Sequence, residues 1–379
     1  MSRVVVIASY APSLTRFREH FLRALRAAGH DVTAIAPADA DVAARLGELG
    51  VAFRHCPLDR AGMNPLHDVA YLLRLARILR SLRPDAVLAY TVKPVIWGLL
   101  AARLAGVRQR FALITGLGYA FTQAGQAGGR VTLAALLSAL YRHALRGCRV
   151  VFFQNPDDRQ EFAARRHLAA GQRTVVVNGS GVDLDAYRAQ PPPASLSFLL
   201  IARLLRDKGI REYVAAARMV RQAHPEVRFR LAGWLDPNPA AISAGELASW
   251  MASGDIEYLG VLTDVRPALK DCAVYVLPSY REGTPRTVLE AMATGRPVIT
   301  TDVPGCRETV RHGENGFLVP AADPAALAAA MTRFIEHPAL VGTMGAAGRR
   351  IAEQRYNAAD VARVMVEAMQ IQALRDPSI

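Results

Sequence analysis

From one end of this chain to the other, short apolar runs alternate with amphipathic helical stretches. That rhythm restricts the fold to α/β layers built on parallel sheets. In the first half the runs are Val4–Ala8, Val32–Ile35, Ala86–Leu88, Phe111–Thr115, Val150–Phe153 and Thr174–Val177. Helix-like stretches fall between them, among them Phe17–Ala28, ended by Gly29, and Asp68–Ser81, ended ahead of Pro84. A second series starts at Ser197–Ile201 and continues through Arg228–Ala232, Ile256–Tyr258, Val274–Leu277, Pro297–Thr300 and Gly316–Val319. The two series meet at Asp185–Pro193, where Pro191, Pro192 and Pro193 support neither helix nor central strand. A chain of 379 residues divides naturally into two domains. The expected organisation is a first domain over 1–188, a Pro-rich linker over 189–196 and a second domain over 197–355. A C-terminal helix over 356–379 is expected to pack back toward the first domain. Two doubly wound domains that face each other place their ligands in a cleft between them, at the carboxyl ends of the strands.

The net charge of +13 is unevenly spread. Residues 1–190 carry 25 Lys+Arg against 13 Asp+Glu, and residues 191–379 carry 21 against 20. A predominance of Arg over Lys accounts for the kind of cation but less well for its concentration in one half. The asymmetry points to an anionic partner for the first half: nucleic acid, an anionic membrane surface or a diphosphate-bearing substrate. The opening Val4–Ala8 run is too short for an exported segment and reads as a buried strand. No window offers 18 uninterrupted apolar residues, so a spanning helix is not expected. Cys56, Cys148, Cys272 and Cys306 lie far apart with no CxxC, which fits a reduced cytoplasmic protein without zinc or disulfides. The stretch Arg130–Arg146 has an apolar centre and basic ends; it reads either as a core helix or as an interfacial helix on a membrane.

The most specific stretch runs from Leu277 to Ala293 and reads LPSYREGTPRTVLEAMA. A buried strand ends at Pro278, a loop carries Glu282 and Gly283, and a helix follows. Thr284 suits the cap and Pro285 the first helical position. The amides of Arg286, Thr287 and Val288 would then point out of the helix start, where unpaired donors and the helix dipole favour an anion. Glu282 sits where it can hold sugar hydroxyls. Glu290 lies five residues beyond Pro285, about 7.5 Å along the axis, which lets the two carboxylates reach opposite ends of one ligand. A second element, Phe198–Gly209, is a buried strand followed by two cations, Arg203 and Lys208, five residues apart. Fixed cations there would stabilise charge developing on a departing diphosphate.

The pairing of Glu282 with Glu290 inside EG-x-P-x-x-x-LEAMA resembles the donor motif of glycosyltransferase family 4, which has the GT-B fold of two facing Rossmann-like domains. The resemblance implies a metal-independent, retaining transferase with a nucleotide sugar as donor and no cofactor. It makes Arg203 and Lys208 the diphosphate-binding pair and Glu282 the residue at the sugar. It gives Glu290, Gly283, Thr284, Arg286, Thr287 and Val288 to the donor. Tyr258-Leu259-Gly260-Val261 with Asp264 matches the place where the family holds the nucleobase, through Gly260 and Val261. Thr91–Gly98, Arg110–Tyr119, Asn64-Pro65 and Arg16-Phe17-Arg18 resemble a bacterial subgroup that acts on polyprenyl-diphosphate-linked sugars. Tyr10, Arg16, Lys93, Thr115 and Gly116 are its candidate acceptor-side residues. The implied task is transfer of a hexose or N-acetylhexosamine, with UDP as the favoured nucleotide, to a polyprenyl-diphosphate-linked saccharide in lipopolysaccharide, capsule or glycan assembly. The implied place is the cytoplasmic side of the inner membrane, held peripherally by the basic first half. Two departures stand out: Thr115 occupies a position where many members have His, and Ser9–Ser13 replaces a Gly-Gly loop.

Gly116-Leu117-Gly118 lacks the third glycine of a dinucleotide fingerprint, and no Walker-A run exists. The DxD triplets Asp183-Leu184-Asp185 and Asp39-Ala40-Asp41 read as solvated caps rather than metal ligands. The nearest alternative is a nucleotide-sugar 2-epimerase on the same fold, which needs acid/base carboxylates in the cleft. A basic nucleic-acid-binding protein would need an aromatic-interleaved basic patch or a recognisable module, and the chain has neither.

Overall fold

The computed structural model describes residues 1–59, 62, 64–116, 128–236, 238 and 240–372, with backbone alone over 128–134. The chain forms two units, Met1–Ser180 with Ala358–Ile379, and Gly181–Asn357. The segment expected as a linker, 189–196, therefore lies inside the second unit, where the buried Arg296 guanidinium donates to the carbonyls of Gln190 (3.3 Å) and Pro191 (2.9 Å).

The first unit is a parallel sheet of β1 (Arg3–Ile7), β2 (Asp31–Ala36), β3 (Ala52–His55), β4 (Ala86–Tyr90), β5 (Gln109–Ile114), β6 (Val150–Phe153) and β7 (Thr174–Val176). Its order is β3-β2-β1-β4-β5-β6-β7. Successive side chains of a strand face opposite ways, so a sheet covered on both faces needs unbroken apolar strands. β1 shows this: Val5 and Ile7 join Tyr71, Leu75 and Leu79 of the Pro65–Leu82 helix on one face. Val4 and Val6 join Phe21, Leu22 and Leu25 of the Glu19–Ala27 helix on the other. The C-terminal helix Ala358–Met369 packs on that second face through Val361, Ala362 and Met365. The stretch expected to be one helix over Phe17–Ala28 is instead two, Pro12–Arg16 and Glu19–Ala27. The Gly128–Leu145 helix buries Tyr141, Ala144 and Leu145 in the first face, so its described side chains make it chiefly a core helix.

The second unit repeats the plan with β8 (Ser197–Ile201), β9 (Arg228–Ala232), β10 (Glu257–Tyr258), β11 (Val274–Leu277), β12 (Val298–Thr301) and β13 (Gly316–Val319), ordered β10-β9-β8-β11-β12-β13. In this sheet the chain winds one way from β8 through β9 to β10 and the other way from β11 to β13. The carboxyl ends of β8 and β11 thus flank a switch point, where open α/β sheets leave a crevice. In the first unit β1 and β4 hold the equivalent place.

Two glycines allow the loops at the second switch point to touch. Gly209, at φ +68°, lies so close to Pro278 that a Cβ would sit 2.1 Å from the Pro278 carbonyl oxygen. Gly305, at φ +84°, would place a Cβ 2.1 Å from the Glu282 carbonyl oxygen. Both backbone angles also disfavour an L side chain. Gly305→Ala is therefore expected to destabilise the protein by at least about 2 kcal/mol, from left-handed strain plus the backbone clash. Thermal or urea unfolding checks this, and a variant as stable as the parent would contradict the close approach.

Candidate functional site

The loop after β8 carries Arg203 and Lys208; the loop after β11 carries Ser279, Glu282, Gly283 and Thr284. Lys208 Nζ donates to Glu282 Oε1 at 2.5 Å, and both side chains are largely buried. Ser279, fully buried, donates from Oγ to the same Glu282 oxygen at 2.8 Å and lies 3.1 Å from the Asp207 carbonyl. Tyr280 N donates to Asp207 O at 2.8 Å and Glu282 N to Pro304 O at 3.0 Å, which fixes the loop at both ends. The two residues expected at the phosphate and at the sugar are thus brought into direct contact. Arg203 sits nearer solvent, with Nη1 3.5 Å from Asp236 Oδ2.

The helix that follows spans Arg286–Ala293, and Pro285 occupies the cap in an extended conformation (φ −73°, ψ 109°). It begins one residue later than the expectation of a Thr284 cap with Pro285 as first helical residue. The reason is that the Pro285 carbonyl already accepts from Val288 N (3.1 Å) and Leu289 N (3.3 Å). Val288 N is thereby engaged within the first turn, which corrects its expected role as an outward amide. The amides of Arg286 and Thr287 precede the first of these bonds. The helix buries Val288, Leu289, Ala291, Met292 and Ala293 against β11, and this packing aims its start at the switch point.

Glu290 is 6% exposed. Burial pushes its carboxyl above the ordinary range, while Arg286 and Tyr187 oppose that shift by hydrogen bonding to it. Arg286 Nε lies 2.7 Å from Glu290 Oε1. Arg286, singled out for its backbone amide, thus also holds Glu290 with its side chain. Gly260, at φ +70°, accepts from Gly233 N at 2.9 Å through its carbonyl, and Val261 is 62% exposed beside it. Asp264 is held by Arg266, whose hydrogen bonds lower its pKa.

The acceptor-side candidates all lie in the first unit, at the carboxyl ends of β1, β4 and β5. Tyr10 and Arg16 are exposed, and Thr115 and Gly116 are partly buried just beyond Ile114. Lys93 is bound by Asp68 Oδ1 and the Gly62 carbonyl, each at 2.7 Å. The structure adds a pair that the sequence did not single out: Ser9 Oγ and Thr91 Oγ1, 2.8 Å apart across the ends of β1 and β4. Thr91 adopts φ +67°, a conformation that costs a β-branched residue roughly 1–3 kcal/mol. Nothing in a sequence marks such a residue. Tyr187 and Asp236 were missed for a similar reason, since each meets its partner only through the fold. Ser279 stood inside the quoted motif but had no assigned task.

Asp39 Oδ1 accepts from Val42 N at 3.0 Å as a helix cap, and Asp183 Oδ1 accepts from Asp185 N and Ala186 N at 3.0 and 2.9 Å. Both DxD triplets therefore hold backbone turns. Among the described residues no group of three His, Cys, Asp or Glu side chains is arranged to hold a metal ion. All four cysteines are buried and free. Leu117, Gly118 and Tyr119 lie outside the described residues.

Comparison with known proteins matches each half of the chain to a domain model. One, described as a glycosyl transferase 4-like domain, covers residues 14–179; the other, described as glycosyl transferases group 1, covers 195–337. The N,N'-diacetylbacillosaminyl-diphospho-undecaprenol alpha-1,3-N-acetylgalactosaminyltransferase of Campylobacter jejuni is 28% identical over 330 residues, 83% of this chain and 84% of that protein. The putative glycosyltransferase EpsD of Bacillus subtilis is 26% identical over 309 residues, 78% and 79% of the two chains. Among solved structures, Anabaena HepE in complex with UDP and glucose superposes with a TM-score of 0.75 at 18% identity, covering 97% of this chain and 99% of its own. Sucrose-phosphate synthase of Thermosynechococcus elongatus gives 0.78 at 19% identity, covering 97% and 98%. A 4-like first domain joined to a group 1 second domain, each on its own parallel Rossmann-like sheet, places the chain in glycosyltransferase family 4, with the GT-B fold.

Proposed function

We propose that this glycosyltransferase moves a hexose or N-acetylhexosamine from a UDP-sugar to a polyprenyl-diphosphate-linked saccharide, with retention at the anomeric carbon and without a metal or other cofactor. The observation that carries the reading is the Lys208–Glu282–Ser279 cluster at the switch point of the second sheet, directly ahead of a helix start. The Campylobacter relative, named for transfer to a diphospho-undecaprenol-linked sugar, supports the choice of acceptor. HepE, solved with UDP and glucose, supports the choice of nucleotide.

The donor diphosphate replaces Glu282 as the partner of Lys208 and takes up the first-turn amides of Arg286 and Thr287. Glu282, released from the lysine, accepts hydrogen bonds from sugar hydroxyls. Glu290, oriented by Arg286 and Tyr187, accepts from the ribose. In the reaction the bond between the anomeric carbon and the phosphate oxygen breaks, and its electron pair leaves with the diphosphate. The acceptor hydroxyl forms the new bond on the same face and gives its proton to the departing phosphate oxygen. Lys208 and Arg203 stabilise the charge that develops there. No protein nucleophile takes part.

No helix among the described residues is long and apolar enough to cross a membrane. A polyprenyl-linked acceptor is membrane-bound, so the protein works peripherally at the cytoplasmic face of the inner membrane, attracted by its basic first half. The wider setting is lipopolysaccharide, capsule or related glycan assembly.

Lys208→Ala is expected to lower kcat/KM by about 10²–10³, the usual effect of removing one group that stabilises developing charge. Arg203→Ala should cost less, because its pair with Asp236 is far more exposed. Transfer from radiolabelled UDP-sugar to a polyprenyl-linked acceptor measures both, and undiminished turnover in the Lys208 variant would refute its role. Glu282→Ala should abolish transfer yet leave a UDP-dependent rise in melting temperature, since the nucleotide binds the folded state. Formation of a 2-epimer from UDP-sugar alone would instead identify an epimerase. Tyr187→Phe should weaken UDP binding roughly threefold to tenfold by loosening Glu290, with little change in kcat. Isothermal titration reads this, and an unchanged Kd would remove Tyr187 from the site.

A further inference from the structure

The first unit carries a surface that the transferase chemistry does not use. On the Pro65–Leu82 helix, Tyr71, Leu75 and Leu79 face the core, whereas Leu66 (76% exposed), Val69 (45%) and Leu73 (48%) face solvent. Their spacing of three and four residues sets them in one line along the helix. The exposed arginines Arg77 and Arg80 continue that line, with Arg74 beside it.

The Leu99–Leu104 helix packs against this one and against the Gly128–Leu145 helix on its other side. Arg80 Nη2 donates to Leu104 O at 3.1 Å, and Arg103 Nη1 lies 3.4 Å from His143 Nε2. The layer therefore presents one continuous outer surface, on which Leu104 and Leu136 are also exposed.

Its charge is one-sided. Between Asp85 and Asp157 the chain has Lys93 and seven arginines but no acidic residue. The single acid of the Pro65–Leu82 helix, Asp68, is mostly buried and bonded to Lys93. Isolated exposed leucines are ordinary on a protein surface. A helical line of them running into a row of unopposed arginines is the pattern of an interfacial helix.

We propose that this three-helix layer is the face on which the protein lies against an anionic lipid bilayer. Leu66, Val69 and Leu73 enter the headgroup region, and Arg74, Arg77 and Arg80 meet lipid phosphates. The inference rests on the peripheral association proposed above and names the surface responsible for it. A second copy of the chain fits poorly, because a twofold contact would set arginine against arginine. Nucleic acid has no use for the leucines, and the face offers no exposed aromatic for a base to stack on.

Flotation with phosphatidylcholine vesicles, with and without phosphatidylglycerol, tests the proposal on the full chain. The protein is expected to float only with the phosphatidylglycerol vesicles, and less at high salt, because exposed charges are screened within roughly 10 Å. Replacing Arg74, Arg77 and Arg80 together by Gln should weaken binding about a hundredfold, from roughly fivefold per cation. Leu66→Ser, Val69→Ser and Leu73→Ser combined should weaken it by at least about tenfold through lost apolar burial. Met219→Ser with Val364→Ser, which removes exposed apolar side chains on other helices, should leave binding unchanged. All variants should keep the UDP-dependent rise in melting temperature, which reports the donor site and the folded state separately. If the face variants float like the parent, the contact lies elsewhere and the proposal is overturned while membrane association stands. If the parent protein binds neither vesicle, association and face fall together, with the donor reading untouched. A solution dimer that the Leu66, Val69 and Leu73 changes disperse, without vesicle binding, would overturn it in favour of self-association.

Discussion

A lysine ammonium and a glutamate carboxylate 2.5 Å apart, both largely withdrawn from water, join two loops that lie far apart in the chain. Withdrawing such charges is unfavourable unless each finds a partner of good geometry. Lys208 and Glu282 meet this condition through each other and through Ser279, whose hydroxyl supports the carboxylate. The pair exists only because the backbone beneath it can close: Gly209 lies on Pro278, and Gly305 lies on Glu282. Two residues without side chains thus set the distance between two residues whose side chains carry the chemistry. A pair held in this way is complete without a ligand, yet it can exchange. A phosphate that takes the lysine leaves the carboxylate ready for hydroxyl groups of the same molecule.

Both sheets turn at a pair of adjoining strands, β1 with β4 and β8 with β11, and the contents of the two turns differ. The second holds opposite charges in contact. The first holds hydroxyls, Ser9 with Thr91 and Ser13 with Tyr90 at 2.7 Å, and it keeps Thr91 in a left-handed conformation. Charge suits a diphosphate, and neutral hydroxyls suit a sugar. Strain in a β-branched residue persists only where its surroundings over-determine it, and here the Thr91 carbonyl also accepts from Val95 N at 3.0 Å.

Most of the sheet architecture was legible in the sequence because both faces of each central strand are buried, and double burial writes a continuous apolar run. The strand that escaped, β3, lies at an edge and reads Ala52-Phe53-Arg54-His55, with one neighbour and no need for apolar residues on both faces. The break between Pro12–Arg16 and Glu19–Ala27 was hidden because residues on either side of it continue an apolar pattern. The charged partners Lys208 and Glu282 could be named from their loops, but their direct contact depends on chain packing that no local pattern encodes. The three prolines were read as a joint because they exclude regular hydrogen bonding. They serve the second unit instead, since a segment that cannot pair its own backbone leaves carbonyls for Arg296 to collect.

The uneven charge has two different physical meanings along the chain. In the second unit cations come with nearby carboxylates, Arg203 with Asp236, Lys208 with Glu282 and Arg286 with Glu290, so the field is local and can be rearranged by a ligand. In the first unit the run from Lys93 to Arg149 has no acid to balance it. Unbalanced charge on a surface acts over a Debye length and orients a molecule as it approaches, whereas paired charge acts at contact and discriminates between ligands. An enzyme that takes a soluble donor and an acceptor anchored in a membrane needs both. The sequence keeps them apart by placing its carboxylates beside the cations of one unit and leaving them out of the helical layer of the other.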